Sequence, residues 1–192
     1  AGVSEAALPQ TADFALAFEL LTGTASGRDY NPNAQDPGGN PALVNTALSL
    51  GAGFSTLTAA VACIEQELGA ATGGRGGVLF AGADMATWLL EARIMWRDGA
   101  RWRTASGNTV IVSAGFDGRA PVADGPGVAP ADGAVLYLYA TAGVWAGTGE
   151  STTYSDVDRQ VNTATSRAEQ IALVAFTPCA VFAAAATPVT KC

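Results

Sequence analysis

The sequence predicts a mixed α+β domain, and two observations carry that prediction. Hydrophobic residues make up 49% of the 192 residues and charged residues only 14%, a composition that supports a packed core and excludes a disordered chain. Apolar residues recur at helical spacing in the first half, whereas continuous apolar runs of strand length concentrate in the second half. We therefore expect one α+β domain over residues 1–192, with most of its sheet late in the chain.

Three segments have the apolar spacing of amphipathic helices. In the second of them, Ser55 or Thr56 is expected to cap the start, and Gly69 or Gly73-Gly74 to mark the end. The third is expected to begin at a capping Asp84 and to close at a glycine. The predicted helices are Thr11–Leu21, Phe54–Leu68 and Asp84–Gly99.

Short apolar or alternating runs bounded by turn residues predict the strands. Two of these runs flank a Ser106-Gly107-Asn108 turn and are expected to form a β-hairpin. Residues 115–133 are rich in Gly, Pro and Asp and predict a surface loop. The predicted strands are Val78–Ala81, Arg101–Thr104, Thr109–Ser113, Ala134–Ala140, Val161–Glu169, Ile171–Phe176 and Ala180–Ala185.

The residue inventory excludes many kinds of catalytic site. The chain has no histidine, which removes Ser-His-Asp triads, histidine proton shuttles and histidine-bound zinc. Lys191 is the sole lysine, and the net charge of −7 argues against a general nucleic-acid binder. The three cysteines are widely separated, which is typical of free thiols rather than a metal pair. We predict no enzymatic activity and no cofactor.

Two motifs resemble binding sites, and a structural interpretation is favoured for each. The glycines of Gly73–Gly77 follow a predicted helix and precede a strand, the reverse of a phosphate-binding loop, and so predict a tight turn. Asp156 and Asp158 have the spacing of paired cation ligands, but no third ligand lies near them in the sequence. They are interpreted as solvated residues, and carboxylate chemistry there remains the enzymatic alternative.

A cluster of arginine and tryptophan is the strongest candidate for a binding surface. It holds four of the ten basic residues and two of the four tryptophans within eleven positions: Arg93, Trp96, Arg97, Arg101, Trp102 and Arg103. On a helix Arg93 and Arg97 share a face, and on a strand Arg101 and Arg103 share the side opposite Trp102. A subunit contact is favoured, because both residue types are enriched where protein surfaces meet. A solvated face over core tryptophans and a nucleic-acid surface remain alternatives.

The C-terminal part of the chain resembles a signature of major capsid proteins from actinobacterial tailed phages. Those proteins read Asp-Arg-x-x-Asn-Thr-x-x-x-Arg-Ala-Glu, followed by an apolar strand and Pro-Cys. The matching positions are Asp158-Arg159, Asn162-Thr163, Arg167-Ala168-Glu169 and Pro178-Cys179. Further pieces are similar to the family in the same order: Leu20–Thr24, Thr72–Gly76, Gly107–Val112, Ala114–Phe116 and Leu138–Val144.

The resemblance implies the Hong Kong 97-like capsid fold, an α+β wedge with axial and peripheral subdomains. It covers about residues 14–185 and places the spine-helix region and a loop at 1–40, a mostly axial part at 41–145 and peripheral strands at 146–192. Leu21 replaces the tryptophan of the family's Trp-Thr-Gly helix end. Since the chain starts near the spine-helix region, the N-terminal arm and extended loop of the family are expected to be missing from it.

The function implied by the resemblance is structural. The chain is expected to be a major capsid protein that assembles as hexamers and pentamers into the icosahedral head of a phage, in the host cytoplasm. Its partners would be copies of itself, with portal, scaffold or decoration proteins as further candidates, packaged double-stranded DNA nearby and no membrane. A secreted or surface binding module is the alternative. The expected interface residues are Arg97, Arg101, Arg103, Arg159, Arg167 and Glu169.

Overall fold

The structure is a computed structural model that describes residues 14, 16–18, 20–22, 43–51, 54, 56–121, 135–158, 163–176 and 180–186; along 146–158 and 163–175 it describes the backbone alone. Residues 14, 16–18 and 20–22 are helical. The helices that follow are α1 (Leu43–Thr46), α2 (Leu57–Thr72) and α3 (Ala83–Glu91). The strands are β1 (Leu48–Ser49), β2 (Val78–Ala81), β3 (Met95–Asp98), β4 (Arg101–Thr104), β5 (Thr109–Val112), β6 (Leu136–Thr141), β7 (Val144–Asp158), β8 (Thr163–Phe176) and β9 (Val181–Ala186).

Seven strands form one mixed sheet in the order β1-β9-β6-β2-β5-β4-β3. Strand β1 runs parallel to β9 and β2 runs parallel to β5, while the other neighbours are antiparallel. Every residue of β9 is buried, and β6 is buried from Tyr137 to Thr141. These central strands are continuous apolar runs because both faces of the sheet are covered. The mixed α+β class predicted from the sequence is therefore confirmed.

Alternate residues of the central strands enter two separate cores. Helices α2 and α3 cover the first face, where Ile64 and Leu89 pack with Leu79 of β2. The helical residues near position 20 and helix α1 cover the second face, where Leu21 and Leu43 pack among aromatic side chains. The aromatic residues of this second core are Phe80, Phe116, Tyr137, Tyr139 and Phe176.

Two of the predicted boundary residues of helix α2, the cap Thr56 and the end at Gly73, are confirmed, whereas Phe54 forms a β-bridge with Ala186 and lies outside the helix. Thr56 has extended backbone angles, and its hydroxyl accepts a hydrogen bond from the amide of Ala59 at 3.2 Å. Gly73 ends the helix at φ +62°, a left-handed conformation that glycine adopts without steric cost. Gly69 lies within the helix and does not end it. Ser55 lies outside the described residues.

The third predicted helix is shorter than expected and is capped by a different residue. Helix α3 ends at Glu91, and Arg93 adopts φ +57° beyond it. The amide of Ile94 donates a hydrogen bond to the carbonyl of Leu89, and the amide of Arg93 donates one to the carbonyl of Leu90. This is a Schellman motif, in which glycine usually occupies the position that Arg93 holds here. Residues 95–98 are strand β3, so Arg93 and Arg97 do not share a helix face. The N-cap is Gly82 rather than the predicted Asp84, which lies in the first turn.

One further expectation about the sheet holds in part, and one about a loop is corrected. Strands β6–β9 contain most of the strand residues, as expected, but five of the seven strands of the large sheet precede residue 113. In the predicted surface loop, Phe116 is only 4% exposed and packs in the second core, because its ring meets Phe80 at 5.1 Å. A Cβ at Gly82 would collide with the Phe116 carbonyl, which explains a glycine there. Residues 122–134 lie outside the described part.

Strands β7 and β8 form a separate two-stranded ribbon. The described residues of the predicted extended segments, 163–176, form β8, and Val144 to Ala146 begin β7. The register pairs Val144 with Phe176 at one end and Asp158 with Thr163 at the other, with an irregularity between Thr148 and Ser151. Over the described ranges, no helix is long and apolar enough to cross a membrane.

Candidate subunit-contact surfaces

The predicted arginine–tryptophan cluster lies on the β3–β4 hairpin at one edge of the large sheet. Gly99 turns the chain with φ +61°, and the register pairs Trp96 with Arg103 and Asp98 with Arg101. Residues directly opposite each other lie on the same face of a sheet. Arg101 and Arg103 therefore share one face, and Trp102 lies on the other, as predicted from the strand pattern.

Arg101 and Arg103 lie on the same face of the sheet as the second core, but the second core does not extend over this edge of the sheet. In the centre of the sheet this face is buried under the aromatic cluster, whereas toward β3 its apolar side chains are exposed: Trp96 by 45% and Ile111 by 38%. We call this surface the open face, defined by Trp96, Asp98, Arg101, Arg103 and Ile111. An exposed tryptophan among arginines has the composition of a protein contact.

Within the part of the chain that the structure describes, the charges of the open face are only partly satisfied. The Nε of Arg103 lies 2.9 Å from Oδ2 of Asp98, a charge contact without the alignment of a hydrogen bond, and its Nη1 donates to the carbonyl of Gly107 at 2.9 Å. The Asp98 side chain is 62% exposed, so this pair contributes at most about 1 kcal/mol. Arg101 is exposed and has no ion-pair or hydrogen-bond partner among the described residues.

Arg97, which was predicted with these residues, lies on the opposite face. Its guanidinium carbon is 5.8 Å from the centre of the Trp102 ring, and its Nε donates to the carbonyl of Gly99 at 3.2 Å. Trp102 is half-buried, whereas Arg97 is exposed, and a cation over an aromatic ring at an exposed site contributes about 0.5–1 kcal/mol. Because Arg97 is engaged within its own hairpin, Arg101 is the more available cation.

The remaining predicted contact residues belong to the β7–β8 ribbon. Arg167 lies opposite Tyr154 and Glu169 lies opposite Thr152 in the register. Arg159 is outside the described residues. Each strand of the ribbon is about 45 Å long at ~3.3 Å per residue. Within the described part, neither strand pairs with any other, so both outer edges retain unpaired backbone groups.

Glu65 positions the turn of the β4–β5 hairpin, a role that the sequence pattern did not reveal. Its Oε1 accepts hydrogen bonds from the Thr104 hydroxyl and from Nδ2 of Asn108 at 2.9 Å, and its Oε2 accepts one from Ser106 at 2.9 Å. Asn108 in turn accepts a hydrogen bond from the Gly77 amide at 2.8 Å. One carboxylate of α2 therefore fixes the turn, although its partners lie about 40 residues further along the chain.

A pocket of about 300 Å³ opens at the N-terminal end of helix α3. Its walls are mainly apolar and include Met85, Ala114, Phe116 and Leu136. Asp84 lines the pocket, is exposed, and has no charged or hydrogen-bonded partner among the described residues. The second carboxylate, Asp117, is bound by the guanidinium of Arg119 and is therefore neutralised.

A scan of the sequence against protein-family models finds no match, and no curated protein is significantly similar to the chain. Across the described residues, no group of three or more histidine, cysteine, aspartate or glutamate side chains is placed to hold a metal ion. The contact surfaces therefore provide the main structural guide to function.

Proposed function

We propose that this chain is a structural subunit that assembles with copies of itself into the shell of a tailed-phage head, with a Hong Kong 97-like fold. The collinear resemblance to actinobacterial phage capsid proteins supports this proposal. The mixed α+β architecture and its sheet-based core are compatible with it.

The observation that carries the proposal is the β7–β8 ribbon. A two-stranded ribbon is at best marginally stable in water, and it becomes stable when a third strand or a packed surface supports it. The ribbon joins two strands of the large sheet, β6 and β9, yet its described residues pair only with each other. A neighbouring copy would supply the missing surface, and a shell would place such a neighbour beside every subunit.

The direct test images the purified full chain by negative stain after concentration and measures its intact mass in the same particles. Regular icosahedral shells that contain the chain are expected. A chain that stays a monomer or small oligomer at every concentration, and that is absent from particles in its source, would overturn the proposal and favour the binding-module alternative.

A ribbon variant tests the observation itself. Replacing residues 149–171 by Asn-Gly leaves Thr148 opposite Ala172, where a two-residue turn closes a hairpin. This variant should retain cooperative unfolding, because the large sheet is intact, but should form no shells. Shells formed by the variant at the same protein concentration as by the full chain would exclude the ribbon as a contact.

A further inference from the structure

We propose that the open face of one copy docks into the pocket of a second copy, with Trp96 in the apolar part and Arg101 beside Asp84. This contact deepens the proposed function and rests on it, because it names the two surfaces through which neighbouring subunits meet. The partner is therefore a second copy of this chain.

Size and polarity match between the two surfaces. A pocket of about 300 Å³ is at the lower end of the range for ligand sites, so it suits one large side chain better than a whole small molecule. Met85, Phe116 and Leu136 offer apolar walls to an indole ring. Trp96 lies on β3, the strand at one edge of the sheet, and is 45% exposed. Tryptophan is strongly enriched among the residues that contribute most to protein–protein binding energy.

Charge selects a second copy as the occupant. The chain carries a net charge of −7, so copies repel each other except where a basic surface meets an acidic one. The open face has two arginines against one aspartate, and its Arg101 is unpaired within the described structure. The unpaired Asp84 of the pocket complements it and would repel a nucleic-acid phosphate.

The contact must form between molecules. Strand β3 is held in register with β4 and lies three strands from β2, a separation of about 14 Å at ~4.8 Å per strand. The pocket lies beyond the end of β2, next to Gly82 and Leu136. Because the two surfaces differ, one contact leaves an open face and a pocket free, so it generates closed rings or open chains of subunits unless both pairs form together in a twofold dimer.

Charge exchange tests the contact with the full chain. Arg101→Asp and Asp84→Arg should each weaken association at least about 10-fold, measured by sedimentation as the concentration at half-assembly, since close charge pairs contribute more than about 1.4 kcal/mol. The double variant should recover most of the loss. A double variant as weak as the single variants would overturn the pairing.

A pocket-filling pair tests the site without a change of charge. Ala114→Phe fills the pocket from an exposed position and should block association, whereas the matched control Ala70→Phe, at an exposed position of α2, should not. Trp96→Ala should also weaken association. Equal assembly by all three variants would refute the docking. Unchanged association of Ala114→Phe would refute the docking whatever the thermal stability of that variant.

Cross-linking separates failure of this contact from failure of the proposed function. Differently tagged Ala100→Cys and Ala114→Cys copies, in which the three native cysteines are replaced by alanine, are mixed under mild oxidation, with each population alone as the control. Ala100 is exposed beside Arg101, so this variant keeps Trp96. Cross-links between tags with rings but no shells would support the docking and refute the capsid proposal. Shells without cross-links would refute only the docking. If the chain binds duplex DNA, and Trp96→Ala loses this binding while subunit association is unchanged, the open face is a nucleic-acid surface and the docking is refuted.

Discussion

Removing the Glu65 carboxylate is expected to lower the free energy of unfolding substantially. In Glu65→Ala the Thr104 hydroxyl, 0% exposed, and the Asn108 amide, 4% exposed, both lose their acceptor. Each buried unpaired group costs about 1–3 kcal/mol, which gives about 2–6 kcal/mol together. The lower half of that range is expected because Ser106 is exposed and water can enter beside it.

Chemical denaturation at equilibrium measures this change, and two variants serve as controls. Glu65→Gln keeps an acceptor for Thr104 and Asn108 and should lose only about 1 kcal/mol, the loss of charge assistance. Glu67→Ala removes a carboxylate with no described hydrogen bond on the same helix and should lie within about 0.5 kcal/mol of the parent. Amide exchange at Gly77 should accelerate in Glu65→Ala alone. Equal midpoints for the two alanine variants would refute the assignment.

Three further predictions concern glycine positions and the ribbon. Gly69→Ala should stabilise the protein by about 0.5–1 kcal/mol, because the added Cβ contacts nothing within 4 Å and position 69 is helical. Gly73→Ala should destabilise it by about 1–2 kcal/mol, because a side chain at φ +62° is strained, and thermal unfolding ranks the two variants. Gly82→Ala should cost about 1–3 kcal/mol through collision with a backbone carbonyl, and an unchanged melting temperature would contradict the packing there. Arg167→Glu should reduce shell yield and Glu169→Arg in the same chain should restore it, whereas normal heads from Arg167→Ala would remove this pair from the contact.

The sequence pattern predicted those element boundaries that depend on residues close by in the sequence. Strand β2 occupies the predicted Val78–Ala81, and the helix before it starts after Thr56 and ends at Gly73. In each case one residue type decides the boundary: a hydroxyl that accepts an amide hydrogen bond, or a glycine that tolerates a positive φ. Such features are visible without knowledge of tertiary contacts.

The errors arose where long-range contacts override local preference. Helical spacing continues past Glu91, and no glycine or proline marks the break, because Arg93 takes the left-handed position that glycine usually fills. Strand β3 forms there because β4 offers it a pairing partner. The burial of Phe116 and the partners of Glu65 likewise depend on residues far away in sequence. The strand pattern did place Arg101 and Arg103 on one face, but not the pocket that complements them.

The position of β9 has a consequence for how the molecule forms during synthesis. This strand comes after every other described element, yet it lies between β1 and β6 and is buried along its whole length. Until residues 181–186 leave the ribosome, β1 lacks its neighbour and β6 has an open side, so neither core can close. Emergence of the last strand therefore completes the fold cooperatively, and a nascent chain stopped before it would expose a sheet edge to proteases and chaperones.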